Sequence, residues 1–321
     1  MRHVMILAGG LSHERDVSLR SGRRVADALN RAGCETHVRD VDSSLLEALS
    51  TTRPDVVWPV LHGATGEDGA LRDVLQTLGI AYVGARPASC RLTWDKPVAK
   101  ALVAAAGVSA PAGVALSHAT FRELGAAAVL KAVVASLGLP LAVKPARGGS
   151  ALGLSIVRSA DDLPAAMVAA YAYGDIALLE TFIEGTEVSV TVLADEQGVP
   201  QALPAVEIVP DGGVYSYDAR YTAGATEFFV PGRLSEGAST KAAEAALTAY
   251  RVLGHQHLSR MDLIIDADER PWFLEGNISP GMTETSLVPL AIEAAGLDAS
   301  AVYAGLIERA LSSHPVSLAS S

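Results

Sequence analysis

The stretch Phe273–Ala291, FLEGNISPGMTETSLVPLA, brings more kinds of chemistry together than any other part of the chain. Glu275 and Asn277 stand two apart in what reads as a strand, so their side chains leave the same face. A carboxylate and an amide oxygen on one face suit a hard cation such as Mg²⁺, which takes oxygen ligands and leaves room for phosphate. Ser279-Pro280-Gly281 then turns the chain. Thr283–Ser286 puts hydroxyls and backbone N–H groups at the mouth of an apolar helix, an arrangement that can hold a carboxylate. Taken alone, the segment reads equally well as a strand edge, a turn and an N-capped helix.

The segments upstream weigh against that plainer reading. His257–Asp266 (HLSRMDLIID) is a strand in which Arg260 and Asp262 share a face, and a turn at Asp268–Arg270 leads into the opening stretch. Adjacent antiparallel strands would gather Asp262, Glu275 and Asn277, with Arg260 beside them. Further back, Leu139–Pro145 is a strand ending in Lys144, followed by the loop Ala146–Gly153 (ARGGSALG) and a strand Leu154–Val157. Glycines there let backbone N–H groups approach phosphate. Without the lysine it would be a plain Gly-rich hairpin. It is not a Walker A loop, because the lysine precedes the glycines.

Glu180 and Glu187 bracket the turn between strands Ala177–Ile183 and Glu187–Leu193. They can accept from an adenine amine and a ribose hydroxyl, or simply face solvent in a hairpin. Pro210–Pro231 holds Tyr215, Tyr217, Arg220 and Tyr221 with little periodicity, the mark of a lid or binding loop. A lysine with a Gly-rich flap, a carboxylate-bearing hinge and a metal-holding strand pair together describe an ATP site.

The N-terminal third reads differently. Strands His3–Ala8, Glu35–Val41, Asp55–Leu61 and Ile80–Val83 alternate with helices Val17–Asn30 and Asp68–Leu78, which predicts an open parallel α/β sheet. Ligands of such sheets sit at the carboxyl ends of the strands, where GGLSHERD (Gly9–Asp16) and HGATGEDG (His62–Gly69) fall. Pro87–Gly107 is helical with a break near Pro97, Phe121–Leu137, Asp162–Tyr173 and Ser239–Leu253 are helices, and Ala202–Ile208 is a strand. Two helices, Leu287–Ala295 and Ala299–Leu311, and a Ser-rich tail end the chain.

At 321 residues the chain fits two or three domains, and with half its residues hydrophobic but only 5% aromatic its cores are built from Ala, Val and Leu. A formal net charge of −11 argues against nucleic acid and anionic membrane as partners, though not against a phosphate ligand. Cys34 and Cys90 have no metal or redox spacing, no apolar run reaches membrane-spanning length, and the N-terminus lacks a signal-peptide pattern. A cytoplasmic protein is the expectation. Only five lysines occur, Lys96, Lys100, Lys131, Lys144 and Lys241, so those retained suggest positions that need a compact ammonium.

Seven segments in order resemble the ATP-grasp enzymes, and among them the D-alanine–D-alanine ligases: GGLSHERDVSLRSG (Gly9–Gly22), LHGATGEDG (Leu61–Gly69), Asp95-Lys96, VKPARGGSALG (Val143–Gly153), YSYDARY (Tyr215–Tyr221), SRMDLIID (Ser259–Asp266) and LEGNISPGMTETSLVP (Leu274–Pro289). The resemblance implies an N-terminal open parallel α/β domain followed by a two-part ATP-grasp fold, divided as 1–93, 94–183 and 184–321. It implies that Glu14 binds the ammonium of the first D-alanine, with His62 and Glu67 nearby. Lys96, Lys144 and Arg220 would meet ATP phosphates, while Glu180, Phe182, Ile183 and Glu187 frame adenine and ribose. Asp262, Glu275 and Asn277 would hold Mg²⁺, or Mn²⁺ in its place. Arg260 and the amide of Gly281 would stabilise an oxyanion, and Ser286 with Leu287 would take the second substrate's carboxylate. Ser150 and Tyr221 would link to Glu14 in a hydrogen-bonded triad.

The implied reaction makes an acylphosphate from the first D-alanine and ATP, then D-alanyl-D-alanine for cell-wall precursor synthesis, in a homodimer. Four residues depart from the family's pattern. Arg72 stands for a frequent glutamine, Ala151 for a flap serine, Arg220 for a lysine, and Gly276 for a Val or Ala whose loss is expected to loosen the strand. These leave open a ligase joining a different amino-acid pair. A nucleotide-binding protein without ligase activity is a weaker alternative, because no carried-over catalytic group is missing.

Overall fold

The computed structural model describes residues 1–222 and 224–313, the side chain of Tyr221 excepted. The first unit is the expected parallel sheet. Strands β1 (His3–Leu7), β2 (Glu35–Arg39), β3 (Val56–Pro59) and β4 (Ala81–Tyr82) lie in the order β2-β1-β3-β4, all parallel. Helices α1 (Arg15–Arg31), α2 (Leu45–Thr52), α3 (Ala64–Glu67) and α4 (Ala70–Thr77) connect them. β1 and β3 are apolar runs because both faces of the sheet are covered. The loops after β1 and β3 therefore open at one edge, as parallel topology requires.

Helices α5 (Pro87–Trp94) and α6 (Lys96–Ala105) follow, and the break falls at Asp95. Asp95 caps α6 by accepting from the Val98 N–H at 3.3 Å, and Pro97 sits in the first turn, where its missing N–H costs nothing. Next come β5 (Gly113–Ser117), α7 (His118–Leu124), α8 (Ala126–Leu137), β6 (Leu141–Pro145), β7 (Ser155–Val157), α9 (Leu163–Tyr171) and β8 (Ile176–Thr181). The four strands form an antiparallel sheet in the order β5-β8-β6-β7.

The third group comprises β9 (Thr186–Ala194), β10 (Pro200–Ala202), β11 (Val206–Pro210), α10 (Tyr217–Tyr221), β12 (Thr226–Phe229), α11 (Glu236–Val252), β13 (Leu258–Ile265) and β14 (Pro271–Asn277). Its six-stranded sheet runs β12-β11-β9-β13-β14, with β10 paired to β9. The Ala-rich face of α11 packs on it, because small side chains let helix and strands approach closely. Helices α12 (Leu287–Ala294) and α13 (Ala299–Ser313) return to the N-terminal sheet, where Tyr303 and Leu306 share a core with Val4, Trp58 and Val83. No single described helix is long and apolar enough to cross a membrane.

Several expectations are corrected. Gly113–Ser117, where the sequence shows no strand pattern, is a strand; Phe121–Leu137 is two helices parted at Gly125; Ala202–Ile208 falls in two short strands; and Pro210–Pro231 contains α10 and β12. The turn at residues 182–185 is no hairpin. β8 and β9 belong to different sheets, so Phe182–Gly185 is the crossing between them. The Ser-rich tail from 314 onward lies outside the described residues.

Candidate active site

β13 and β14 pair antiparallel as the short turn demands, with Asp262 opposite Glu275 and Arg260 opposite Asn277, and an irregularity between Asp262 and Leu263. The four side chains thus meet on one patch of sheet. Arg260 grips Asp262 through two bonds, Nε to Oδ1 at 2.9 Å and Nη2 to Oδ2 at 2.7 Å. Ser189 donates to Asp262 at 2.9 Å and the Asn277 amide at 3.1 Å. Glu275 lies 3.2 Å from Lys96 Nζ. Burial favours its neutral form, but Lys96 and Lys144 outweigh that and hold its carboxyl down at about 2.

Two carboxylates and one amide oxygen are hard donors of the kind Mg²⁺ accepts, with further places left for phosphate. Among the described residues no group of three or more His, Cys, Asp or Glu side chains could hold a metal ion, so the candidate set depends on the amide of Asn277.

Beside this patch lies a cavity of about 410 Å³ between the two antiparallel sheets. Lys96, Lys144, Glu180, Phe182, Ile183, Glu187 and Arg220, which the resemblance links to ATP, all reach its wall, as do Asp262 and Glu275. The glycine flap covers one end, and the Gly148 carbonyl accepts from Lys96. Glu187 is pushed up to about 7 by burial, with Arg220 opposing. Glu180 differs from expectation. Its carboxylate is not open to the cavity alone, because Lys144 Nζ lies 2.6 Å from one oxygen and Lys100 is paired with the other. Despite burial, Lys144 and Lys100 hold Glu180 below the usual carboxylate range.

A second cavity of about 460 Å³ opens on the other side, lined by Glu14, His62, Glu67, Ser150, Arg260, Asn277, Gly281, Ser286 and Leu287 among others. Glu14 sits at the start of α1 but makes no side-chain cap there; its carboxylate accepts from the Ser150 hydroxyl across the cavity. The Tyr221 side chain, the third expected partner, lies outside the described residues. Burial, and then Glu14, push Glu67 up to about 8, while the Gly63 N–H at 2.8 Å favours its charge. Burial lowers the pKa of His62, whose Nε2 finds no hydrogen-bond partner among the described residues. An orphaned buried nitrogen on a cavity wall is a place for a ligand group. Ser286 lines the same wall, with its hydroxyl engaged by Thr283 N–H at 3.0 Å and Thr283 Oγ1 at 2.8 Å.

Gly149, Tyr215 and Arg220 line both cavities, and Arg220 lies over the Tyr215 ring at 4.0 Å. The two cavities are neighbours across the Arg260–Asp262–Glu275–Asn277 patch. Asp262 and Glu275 face the first and Arg260 and Asn277 the second, so the three residues expected to hold Mg²⁺ straddle the boundary between the cavities.

The departing residues also find physical places. Arg72 is 1% exposed and donates to the Gly66 carbonyl, bracing the turn that carries Glu67. Gly276 does not loosen its strand: the space a Cβ would enter is filled by His255, Met261 and Thr93. Lys100, paired with Glu180, is the charged neighbour of the first cavity's wall that motif reading passed over. Its signal was available, as one of five lysines and four residues after Lys96 on one helix.

Comparison with known proteins agrees with this geometry. The family model for the D-ala D-ala ligase C-terminus matches residues 102–308. The D-alanine–D-alanine ligase of Bordetella petrii is 39% identical over 96% of this chain and 91% of its own length. That of Nitrosospira multiformis is 40% identical over 92% of each. Among solved structures, the VanG D-Ala:D-Ser ligase from Enterococcus faecalis is similar with a TM-score of 0.82 and 28% identity over 96% of this chain and 99% of that one. The Bacillus anthracis D-alanine–D-alanine ligase complexed with ATP has a TM-score of 0.80 and 25% identity, covering 97% and 98%. With the two cavities, the shared fold and relatives near 40% identity along almost its whole length, the chain belongs to the D-alanine–D-alanine ligase family.

Proposed function

We propose that this chain joins two D-alanines to D-alanyl-D-alanine with conversion of ATP to ADP and phosphate, supplying a peptidoglycan precursor. The observation that carries the reading is the meeting of a nucleotide-sized cavity and an amino-acid cavity at one cation-and-carboxylate patch.

The first D-alanine places its ammonium near Glu14, His62 and Glu67, which points its carboxylate at the patch. Attack on the γ-phosphate gives an acylphosphate. Lys96, Lys144 and Arg220 neutralise charge on the transferring group, so the step is driven by position and electrostatics. Asp262, Glu275 and Asn277 would hold Mg²⁺, which would supply further neutralisation of phosphate charge. The second D-alanine rests its carboxylate against Ser286 and Leu287, and its amine attacks the activated carbonyl. Arg260 and the Gly281 N–H receive the oxyanion before phosphate departs. Segment 210–231, with α10 and β12, closes over the glycine flap and keeps water from the acylphosphate.

We assign 1–93 to first-substrate binding, 94–183 to the central ATP-grasp part and 184–321 to the part with the metal and oxyanion groups, and we expect a homodimer. Sedimentation at assay concentration tests the last point. A second reading, a different acceptor amino acid, is favoured by the similarity to a D-Ala:D-Ser ligase and by Arg220 at the wall between the cavities. Phosphate release from Mg²⁺-ATP with a panel of amino acids separates the two. D-alanine-dependent turnover yielding the dipeptide supports the first reading, turnover only with another acceptor supports the second, and nucleotide binding without turnover overturns both.

A further inference from the structure

Lys96 and Lys100 stand four residues apart on α6, so both ammonium groups leave the same face of the helix. Each meets a carboxylate from a different sheet. Lys96 lies 3.2 Å from Glu275 of β14, and Lys100 is paired with Glu180 of β8. Lys144 Nζ, 2.6 Å away, takes the other oxygen of Glu180. Lys144 and Glu180 reach the nucleotide cavity, whereas Lys100 is not among its lining residues and is buried behind the wall at 6% exposure.

Two ammonium groups on one carboxylate is one more than neutrality needs in the free protein. The surplus becomes useful when a phosphate arrives. Lys144, at the cavity wall, can turn to the phosphate only by giving up part of its hold on Glu180. A buried carboxylate left without a partner is costly, and would either take up a proton or pull the lysine back. With Lys100 in place, Glu180 keeps one ion pair throughout.

We propose that Lys100 is a positioning residue for nucleotide binding: it is the standing counterion of Glu180, which frees Lys144 to exchange that carboxylate for phosphate. The proposal rests on the nucleotide reading of the first cavity, between the two antiparallel sheets, and not on the identity of the amino acids joined. It therefore has a readout that does not depend on ligation, calorimetric binding of a non-hydrolysable ATP analogue with Mg²⁺.

Lys100→Met should weaken analogue binding and raise the KM for ATP by ~10-fold, the size expected for one hydrogen bond between charged groups. The KM for D-alanine should stay within about twofold, the margin within which independent sites do not couple. Glu180→Gln removes the group through which Lys100 acts, so adding Lys100→Met to it should change analogue affinity by no more than about twofold. Equal losses in both backgrounds, unchanged ATP affinity in Lys100→Met, or losses shared between ATP and D-alanine would overturn the proposal. Should Lys100→Met alone not fold, Glu180→Gln against the charge-balanced double variant decides: matching affinities support the proposal, and a ~10-fold gap overturns it. A wild type that binds the analogue but forms no dipeptide would count against the proposed function alone.

Discussion

Gly276 offers the sharpest test of how the strand proposed to hold Mg²⁺ is itself held. It separates Glu275 from Asn277 on β14, so any displacement of its backbone moves both. A Cβ at this position would stand 3.2 Å from His255 Cε1, 3.3 Å from Met261 Sδ and 3.4 Å from Thr93 Cγ2. His255 cannot retreat freely, because its Nε2 is 2.7 Å from Thr93 Oγ1 and its ring packs edge-on against Tyr250. One methyl asks the neighbours for a few tenths of an ångström, and Gly276→Ala should cost ~1 kcal/mol. Gly276→Val forces two more methyl groups into the same space and should cost ~3 kcal/mol, lowering Tm by about 5 °C. Part of that strain is relieved by pushing β14 toward the cavity. A shift on the order of 1 Å in a catalytic constellation can cost ~10²-fold in rate. Turnover measured against Mg²⁺ concentration, with thermal unfolding alongside, reads both effects. We expect the Mg²⁺ half-saturation of Gly276→Val to rise ~10-fold, corresponding to ~1.4 kcal/mol of lost binding, and to return most of the way when His255→Ala is added. A Gly276→Val enzyme with wild-type Mg²⁺ dependence would refute the reasoning, as would a loss that His255→Ala leaves untouched.

Three further outcomes are expected. Arg260→Ala should lower turnover by ~10²–10³-fold, the usual cost of one oxyanion donor, and near-normal rates would remove Arg260 from that role. Glu275→Gln should alter the Mg²⁺ titration much more than the KM for D-alanine; an unchanged titration would remove Glu275 from the metal set. In pH dependence, Glu67 and His257 should act with opposite signs. Glu67 is raised from 4.5 to about 8 in the folded state by burial and Glu14, so the folded protein holds the extra proton between those values and stability falls as pH rises through them. His257 is lowered from 6.5 to about 4 by burial, so the unfolded chain holds the extra proton and stability is lost as pH falls from about 6.5 toward 4. Denaturant unfolding across pH 4–8 should therefore show Glu67→Gln removing a loss at the alkaline end and His257→Gln removing one at the acid end. Either variant with the wild-type slope would contradict its assignment.

The parts of this fold legible in the sequence are those set by local chemistry. VMIL and VVWP are continuous apolar runs, the pattern of strands covered on both faces, and their alternation with helices let the parallel sheet be read. The turn Asp268–Arg270 is too short for anything but antiparallel neighbours, which made the meeting of Asp262, Glu275 and Asn277 predictable. Other elements were hidden for physical reasons. α10 and β12 are five and four residues long, too short to show periodicity inside Pro210–Pro231. Gly113–Ser117 opens beside Pro111 and carries turn residues, and it is a strand only because β8 pairs with it.

The sequence by itself determined which residue types stand at which spacing: a carboxylate and an amide two apart on one strand, lysines four apart on one helix, glycines after Lys144. Those are relations along the chain, governed by strand and helix periods. Tertiary structure alone decided what each of them faces. β8 and β9 are joined by four residues whether they pair or part, and only hydrogen bonds to distant strands send them into different sheets. Glu180 lies 80 positions from Lys100, and no local period relates them, so the ion pair behind the nucleotide wall exists only in the folded chain. His255 and Thr93, which explain the glycine between Glu275 and Asn277, are 162 positions apart and are likewise brought together only by packing.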